Sequence, residues 1–157
     1  MLLCLESDGG SKENMQNPRN TPAIFTCPLP EHFDLNTGGR GKWHISPVEI
    51  TFPPIKTGKK WDSLYVCCSA CELSCLGGVY KPVVASLSIG EVKRNNFVRF
   101  TSLLPVPLRV NALSELSVEI CGKGGRTFGE LDVEKTELNT KCTFLLEWQP
   151  NTSLWKP

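Results

Sequence analysis

The sequence is short of the residues that would assign it an activity. It has two histidines, His32 and His44, both in the first third of the chain. A Ser–His–Asp or Cys–His nucleophile needs an imidazole within hydrogen-bond reach, so such chemistry would have to recruit one of these two. No G-x-S-x-G elbow is present. Charge of one sign is not in excess either: 17 Lys and Arg face 16 Asp and Glu, for a net charge of +1. A dedicated, sequence-specific nucleic-acid binder usually carries a basic stripe, and none is visible. No apolar run nears the ~20 residues of a membrane span. The opening Met1–Leu5 stretch is apolar but stops at Glu6. It lacks the basic start, the roughly 7–15-residue apolar region and the small-residue cleavage site of a secretory signal. The expected setting is therefore the cytosol or nucleus, where thiols stay reduced.

Uninterrupted helical periodicity is missing as well. The 12 prolines and 13 glycines are dispersed so that no amphipathic helix of ordinary length fits between them. The only helical candidate, Cys67 to Leu76, reads equally as a strand running into a loop. What fills the chain is short β-type runs separated by turn clusters. Strands are expected near 22–28, 43–52, 62–69, 83–89, 96–103, 114–121, 126–133 and 141–148. In Glu115–Cys121, Leu116, Val118 and Ile120 fall on one face and Glu115, Ser117 and Glu119 on the other, as a half-buried strand requires. Cys142, Phe144, Leu146 and Trp148 alternate in the same way. Trp43 and Ile45 share one parity while Val48, Ile50 and Phe52 take the other, so a β-bulge or an edge position is expected at Ser46–Pro47. The separators include Thr37–Gly41, Pro53–Pro54, Gly77–Gly78, Pro105–Pro107 and Gly122–Gly125. The fold class is all-β, with about eight strands in a sandwich or barrel.

At 157 residues the chain has the size of one domain. Residues 1–21 are expected to be a flexible arm, since Glu6–Thr21 is polar, aperiodic and contains Gly and Pro. Residues 22–149 form the domain and 150–157 a short tail.

Eight cysteines stand out, five of them from Cys67 to Cys121. Cys68 and Cys71 have the C-x2-C spacing of half a zinc site, with Cys75 as a possible third ligand. No second pair follows downstream to complete the set. The stretch also continues the apolar Leu64-Tyr65-Val66, where cysteine acts as a small buried hydrophobe. Packing is thus the first reading, ahead of a metal site or a redox pair. Cys121–Gly129 is glycine-rich but lacks phosphate-loop spacing, and it reads as a hairpin turn. The acids Glu115, Glu119, Glu130, Asp132, Glu134 and Glu137 read as a solvated face. Neither a cofactor nor an enzyme activity is expected.

Several segments taken in order carry more information than any one residue. Phe25-Thr26-Cys27-Pro28-Leu29-Pro30 leads to Gly41-Lys42-Trp43-His44-Ile45-Ser46-Pro47-Val48-Glu49-Ile50-Thr51-Phe52-Pro53, then Leu64-Tyr65-Val66-Cys67-Cys68, and later Leu116-Ser117-Val118-Glu119-Ile120. This order resembles the minor capsid (penton-type) proteins of Polinton-like elements, adintoviruses and related DNA viruses. Their pattern has a first strand ending in a Pro-Leu pair, then G-x-W-x-V-x-x-x-E-I-x-x-P, an I/L-Y-V-x-C strand and a late I-x-I strand. The residues that carry the resemblance are Trp43, Glu49, Ile50, Pro53, Tyr65, Val118 and Ile120. The chain departs from the pattern at Ser46–Pro47 and in the cysteine-rich stretch 67–75. The resemblance implies a single jelly roll of eight antiparallel strands in two sheets. It further implies a homopentamer at the vertices of an icosahedral virion, assembled in the host nucleus or cytoplasm beside a double jelly-roll major capsid protein. The alternative is a cellular β-sandwich binding module, lectin-like or cytokine-like, which the Asn151-Thr152-Ser153 sequon and the cysteines favour.

Overall fold

A strand that alternates apolar and polar residues has one face to bury, and two such sheets bury theirs against each other. The computed structural model describes residues 1–7, 24–29, 40–52, 63–88, 97–100, 104–109, 114–125 and 140–150. The strands, in chain order, are β1 (Leu2–Glu6), β2 (Ile24–Pro28), β3 (Gly41–Thr51), β4 (Ser63–Cys68), β5 (Ser74–Leu76) and β6 (Val79–Lys81). They continue with β7 (Val83–Ser88), β8 (Phe97–Arg99), β9 (Val106–Pro107), β10 (Glu115–Cys121) and β11 (Lys141–Pro150). Among the described residues there is no α-helix, only a 3-10 turn at Lys123–Gly125.

One sheet has the order β1-β11-β3-β8, with β9 also pairing β3. The second has the order β2-β10-β4-β7, and β5 and β6 form a separate hairpin. All pairings are antiparallel. Leaving aside the β5–β6 hairpin and the two-residue β9, the pairs are nested. The first strand, β1, pairs the last, β11; β2 pairs β10, β3 pairs β8, and β4 pairs β7. These eight strands alternate between the sheets as the chain runs inward, turn back within one sheet from β4 to β7, and alternate again on the way out.

The fold is an all-β sandwich whose inner faces share one core. Leu5, Ile45, Ile50, Phe144 and Leu146 come from the first sheet; Phe25, Leu64, Val66, Leu87, Leu116, Val118 and Ile120 come from the second. The alternation expected in β10 and β11 is observed, with Leu116, Val118, Ile120, Cys142, Phe144 and Leu146 all buried. Where the expected strands fall on described residues, their ends agree within a residue or two. The expected strand at 126–133 lies outside the described residues.

The parity switch in β3 is a bulge. Phe144 pairs Pro47 while the adjacent Thr143 pairs Glu49, so Val48 is the extra residue. This lets both Ile45 and Ile50, five positions apart, reach the core. Pro47 also falls between the two stretches of β3 that pair β9 (His44–Ile45) and β8 (Glu49–Thr51), where the ladder on that side is interrupted. Proline is tolerated there because it has no N–H to donate.

The expected arm over 1–21 is corrected at its start, for residues 2–6 are β1. Their register runs from Leu2↔Leu145 to Glu6↔Lys141, and Leu5 is buried. An edge strand needs only one apolar position in two, and the run Leu2-Leu3-Cys4-Leu5 supplies it. Beyond it the backbone N–H of Ser7 donates to the Thr140 carbonyl at 2.9 Å, and the Thr140 N–H donates to the Ser7 hydroxyl at 2.9 Å. Both residues are fully buried, so these bonds satisfy groups that would otherwise be costly. Residues 8–21 lie outside the described residues. At the other end Pro150, expected in the tail, closes β11 opposite Gly41. Residues 151–157 lie outside the described residues.

Phe144 sits at the middle of the inter-sheet layer with no exposure. Phe144→Ala is expected to cost about 3–5 kcal/mol in urea denaturation. Leu104→Ala, at a side chain 72% exposed, is expected to stay within about 0.5 kcal/mol. Equal losses at the two positions would contradict this placement of the core.

Candidate functional site

The densest chemistry in the described structure is sulfur, gathered where β4 ends. Strand β4 alternates its faces, so Leu64, Val66 and Cys68 point into the core while Tyr65 and Cys67 point outward. On the neighbouring β10, Val118 and Ile120 point inward, leaving Glu119 and Cys121 on the same outer face as Cys67. Register sets Glu119 directly opposite Cys67 and Cys121 opposite Tyr65, so the two cysteines are diagonal neighbours. Their Sγ atoms are 3.3 Å apart. Both are buried, at 2% and 0% exposure, although they belong to the outer face.

The cover over that face comes from the β5–β6 hairpin and the 3-10 turn. Lys81, at the end of β6, donates from Nζ to both carboxylate oxygens of Glu119, each at 2.9 Å. The Gly77–Gly78 hairpin tip has positive φ at both residues and packs against the turn. A Cβ on Gly77 would come within 3.2 Å of the Gly124 backbone. Gly125 packs against Val79 and Lys81.

The Cys67–Cys121 contact divides the two thiols electrostatically. A hydrogen bond links the two sulfurs, and it pulls the Cys121 thiol below its ordinary range, against the opposing effect of burial. The same bond pushes Cys67 well above that range, helped by burial and by the Glu119 charge.

The C-x2-C stretch is a turn. The Cys71 N–H donates to the Cys68 carbonyl at 3.0 Å, and Cys71 then forms a β-bridge to Leu108. The Ser69 N–H donates to the Ser117 carbonyl at 2.9 Å, its hydroxyl accepts from the Ser117 N–H at 3.1 Å, and its carbonyl accepts from the Arg109 guanidinium at 2.7 and 3.1 Å. The Glu72 N–H reaches the Pro107 carbonyl, and Lys42 pairs with the Glu72 carboxylate. The stretch thus carries the chain from the second sheet to the β9 side of the first. The Cys68 thiol is drawn down by its hydrogen bond with Cys71 and by the Ala70 backbone, and Cys71 is pushed up by that bond and by burial. Burial, with smaller contributions from Cys68 and Cys27, raises Cys142, which lies between the sheets.

The three cysteines with zinc-like spacing therefore do not converge. Cys68 and Cys71 are buried together, while Cys75 is exposed on β5. Among the described residues no group of three or more His, Cys, Asp or Glu side chains could hold a metal ion. His44 is half-buried on β3, with Nδ1 3.1 Å from the Lys42 carbonyl oxygen. His32, Glu130, Asp132, Glu134, Glu137 and Arg126 lie outside the described residues. No helix among the described residues is long and apolar enough to cross a membrane.

The residues carrying the resemblance are structural in their contacts. Trp43 meets Trp148 edge-to-face across the β3–β11 ladder, with ring centroids 5.9 Å apart. Glu49 pairs Arg99 of β8 at 3.4 Å. Ile50, Val118 and Ile120 are core, and Tyr65 is half-buried on the outer face of β4. Pro53 lies outside the described residues. The chain matches no protein-family model, no curated protein and no solved structure.

Sequence reasoning missed the Cys67–Cys121 pair and the Lys81–Glu119 ion pair. Both depend on the β4–β10 register, and each joins residues tens of positions apart. The one signal available was parity: Cys67 and Cys121 fall out of phase with the inward residues of their strands, which is unusual for a residue as often buried as cysteine.

Glu119 raises the pKa of Lys81 above its ordinary 10.5. A raised folded-state pKa stabilises the fold at pH values below the unfolded pKa, and this contribution is lost as pH climbs through the folded value. Glu119→Gln is therefore expected to cost about 0.5–1 kcal/mol at neutral pH. The gap between wild type and variant should hold through pH 9 and close above roughly pH 10.4. Urea titrations of both proteins across that range check this, and curves that stay parallel would contradict it.

Proposed function

We propose that the chain is a structural virion protein: a single jelly roll serving as a minor capsid, penton-type subunit, with no catalytic role. The observation that carries the reading is the nested pairing β1–β11, β2–β10, β3–β8 and β4–β7. Pairing first with last and second with second-to-last describes one long antiparallel ribbon folded back at β4–β7. Rolling that ribbon up places alternate strands in opposite sheets, giving the orders β1-β11-β3-β8 and β2-β10-β4-β7. A double-sheet jelly roll of two Greek keys has this arrangement.

The segment order supplies the second support. The G-x-W…E-I run forms β3, the L-Y-V-x-C run β4 and the V-x-I run β10, and all three are interior strands of their sheets. A third support is what the sandwich leaves uncovered. Strands β1 and β8 are the edges of one sheet, β2 and β7 of the other. Apolar side chains are exposed on the two edges of the first sheet, Leu2 on β1 and Phe97 on β8, and on the hairpin at Val79 and Tyr80. Sheet edges and exposed apolar residues are the surfaces that lateral neighbours bury, and head-to-tail contact around a closed ring buries the same two patches on every copy. The partners in this reading are further copies of the chain, as a pentamer, and a double jelly-roll major capsid protein.

Native mass spectrometry of the concentrated full chain, with negative-stain microscopy, tests the reading. The expected assembly has five times the 17.4 kDa chain mass and five-fold projections. Charged substitutions Leu2→Glu and Phe97→Glu should reduce the ring to monomers without unfolding them. A dimer or trimer as the stable species would overturn it.

A further inference from the structure

We propose that Cys67 and Cys121 form a peroxide-sensitive dithiol, a modification site that closes into a disulfide joining β4 to β10 beneath the β5–β6 hairpin. This goes beyond the shell reading and does not rest on it.

Three observations carry the proposal. First, the two sulfurs are 3.3 Å apart, so reaching the ~2.05 Å of a disulfide needs an approach of roughly 1 Å. Second, the pair lies at a place that can give. Cys121 is the last residue of β10, where the chain leaves the ladder for the 3-10 turn, whereas Cys67 is fixed in the interior strand β4. Third, the surroundings select the reactant. Both sulfurs are buried, Cys121 fully, which shuts out bulky thiol reagents; peroxide reaches them when the strand end at Cys121 moves. The Lys81 ammonium stands beside the site, where its charge favours a thiolate. Cys121, at the movable end of β10, is the attacking sulfur, and Cys67, held within β4, the resolving one.

The chemistry balances with hydrogen peroxide as the oxidant. Cys121 gives up its proton and its thiolate attacks one peroxide oxygen. The O–O bond breaks, and the departing hydroxide takes that proton and leaves as water. The Cys67 sulfur then attacks the resulting sulfenic sulfur, the S–OH bond breaks, and the released hydroxide takes the Cys67 proton as a second water. Two thiols lose two electrons and one peroxide becomes two waters. A dithiol reductant reverses the state by exchange.

The test uses the folded full chain, fully reduced, treated with near-stoichiometric hydrogen peroxide. The product is then alkylated in denaturant, digested with trypsin and mapped by mass spectrometry. The expected result is loss of two of the eight alkylatable thiols, together with a linked peptide joining residues 110–123 to the segment that holds Cys67. The linkage should be absent in Cys121→Ser and retained in Cys68→Ser. The oxidised wild type should melt roughly 5–15 °C above the reduced form and return after dithiothreitol. Eight alkylated thiols after treatment would overturn the proposal. So would sulfinic acid on Cys121 without a linkage, or a bridge from Cys121 to Cys68, Cys71 or Cys75. The wild-type map decides these outcomes even where a serine variant does not fold.

Discussion

The ladder between β3 and β11 is the constraint on which the first sheet depends. It runs from Thr51↔Lys141 to Gly41↔Pro150, and β1, β8 and β9 are attached to its two flanks. Its register decides which side chains face the second sheet, because a slip of one residue would turn Phe144 and Leu146 to solvent. Two local features hold that register. The Val48 bulge absorbs one residue, so that Ile45 and Ile50 both point inward. At the far end Gly41 lies against the Gln149 carbonyl and the Trp148 ring so closely that a Cβ would come within 2.6 Å of both. A side chain at position 41 would push the strands apart just where Trp43 packs its edge against Trp148. Glycine is needed there for close approach of the backbone and not for an unusual φ.

The parts of the fold legible in the sequence were those set by local alternation. The faces of β10 and β11, the parity switch at Ser46–Pro47 and the turn at Gly77–Gly78 could all be read from a few consecutive residues. What could not be read was pairing across long stretches of chain. β1 is the clearest case. Leu2-Leu3-Cys4-Leu5 has no alternation to mark it as a strand, and the polar residues after it resemble an arm. Its identity comes from β11, more than a hundred positions away, which offers Phe144 and Leu146 and an open edge. The hairpin strands β5 and β6 are also invisible to pattern reading, since three residues each are too few for a period to register.

The cysteines show the same division. Counting from Cys67 to Cys75 suggests a ligand set, because C-x2-C spacing is a local signal. In space the stretch is divided among a core strand, a tight turn and an exposed hairpin, so near neighbours in sequence end up on different faces. Cys68 and Cys142 serve the apolar layer, and burial there keeps the Cys142 thiol neutral and inert. Cys67 takes the opposite side of β4 and meets Cys121, which the sequence reading had grouped with a glycine turn. Alternation, which sends Cys67 outward and Cys68 inward, separates the chemistry of two adjacent residues.

That outward pair is buried only because a second layer exists. The outer face of an antiparallel sheet in a small sandwich is usually left to water, and over much of this one Thr26 and Ser117 share a 2.7 Å hydroxyl contact, as a solvated face would. Beside it the β5–β6 hairpin folds back instead, held by the Lys81–Glu119 ion pair and by the packing of Gly77 and Gly125 against their neighbours. The hairpin adds no strand to either main sheet. Its effect is to dry one corner of β4 and β10 while presenting Tyr80, 71% exposed, to the outside. The nested pairs β1–β11, β2–β10, β3–β8 and β4–β7 make no use of β5 or β6. The hairpin bears on the two thiols through Lys81, whose partner Glu119 stands opposite Cys67, and through its packing on the turn that follows Cys121.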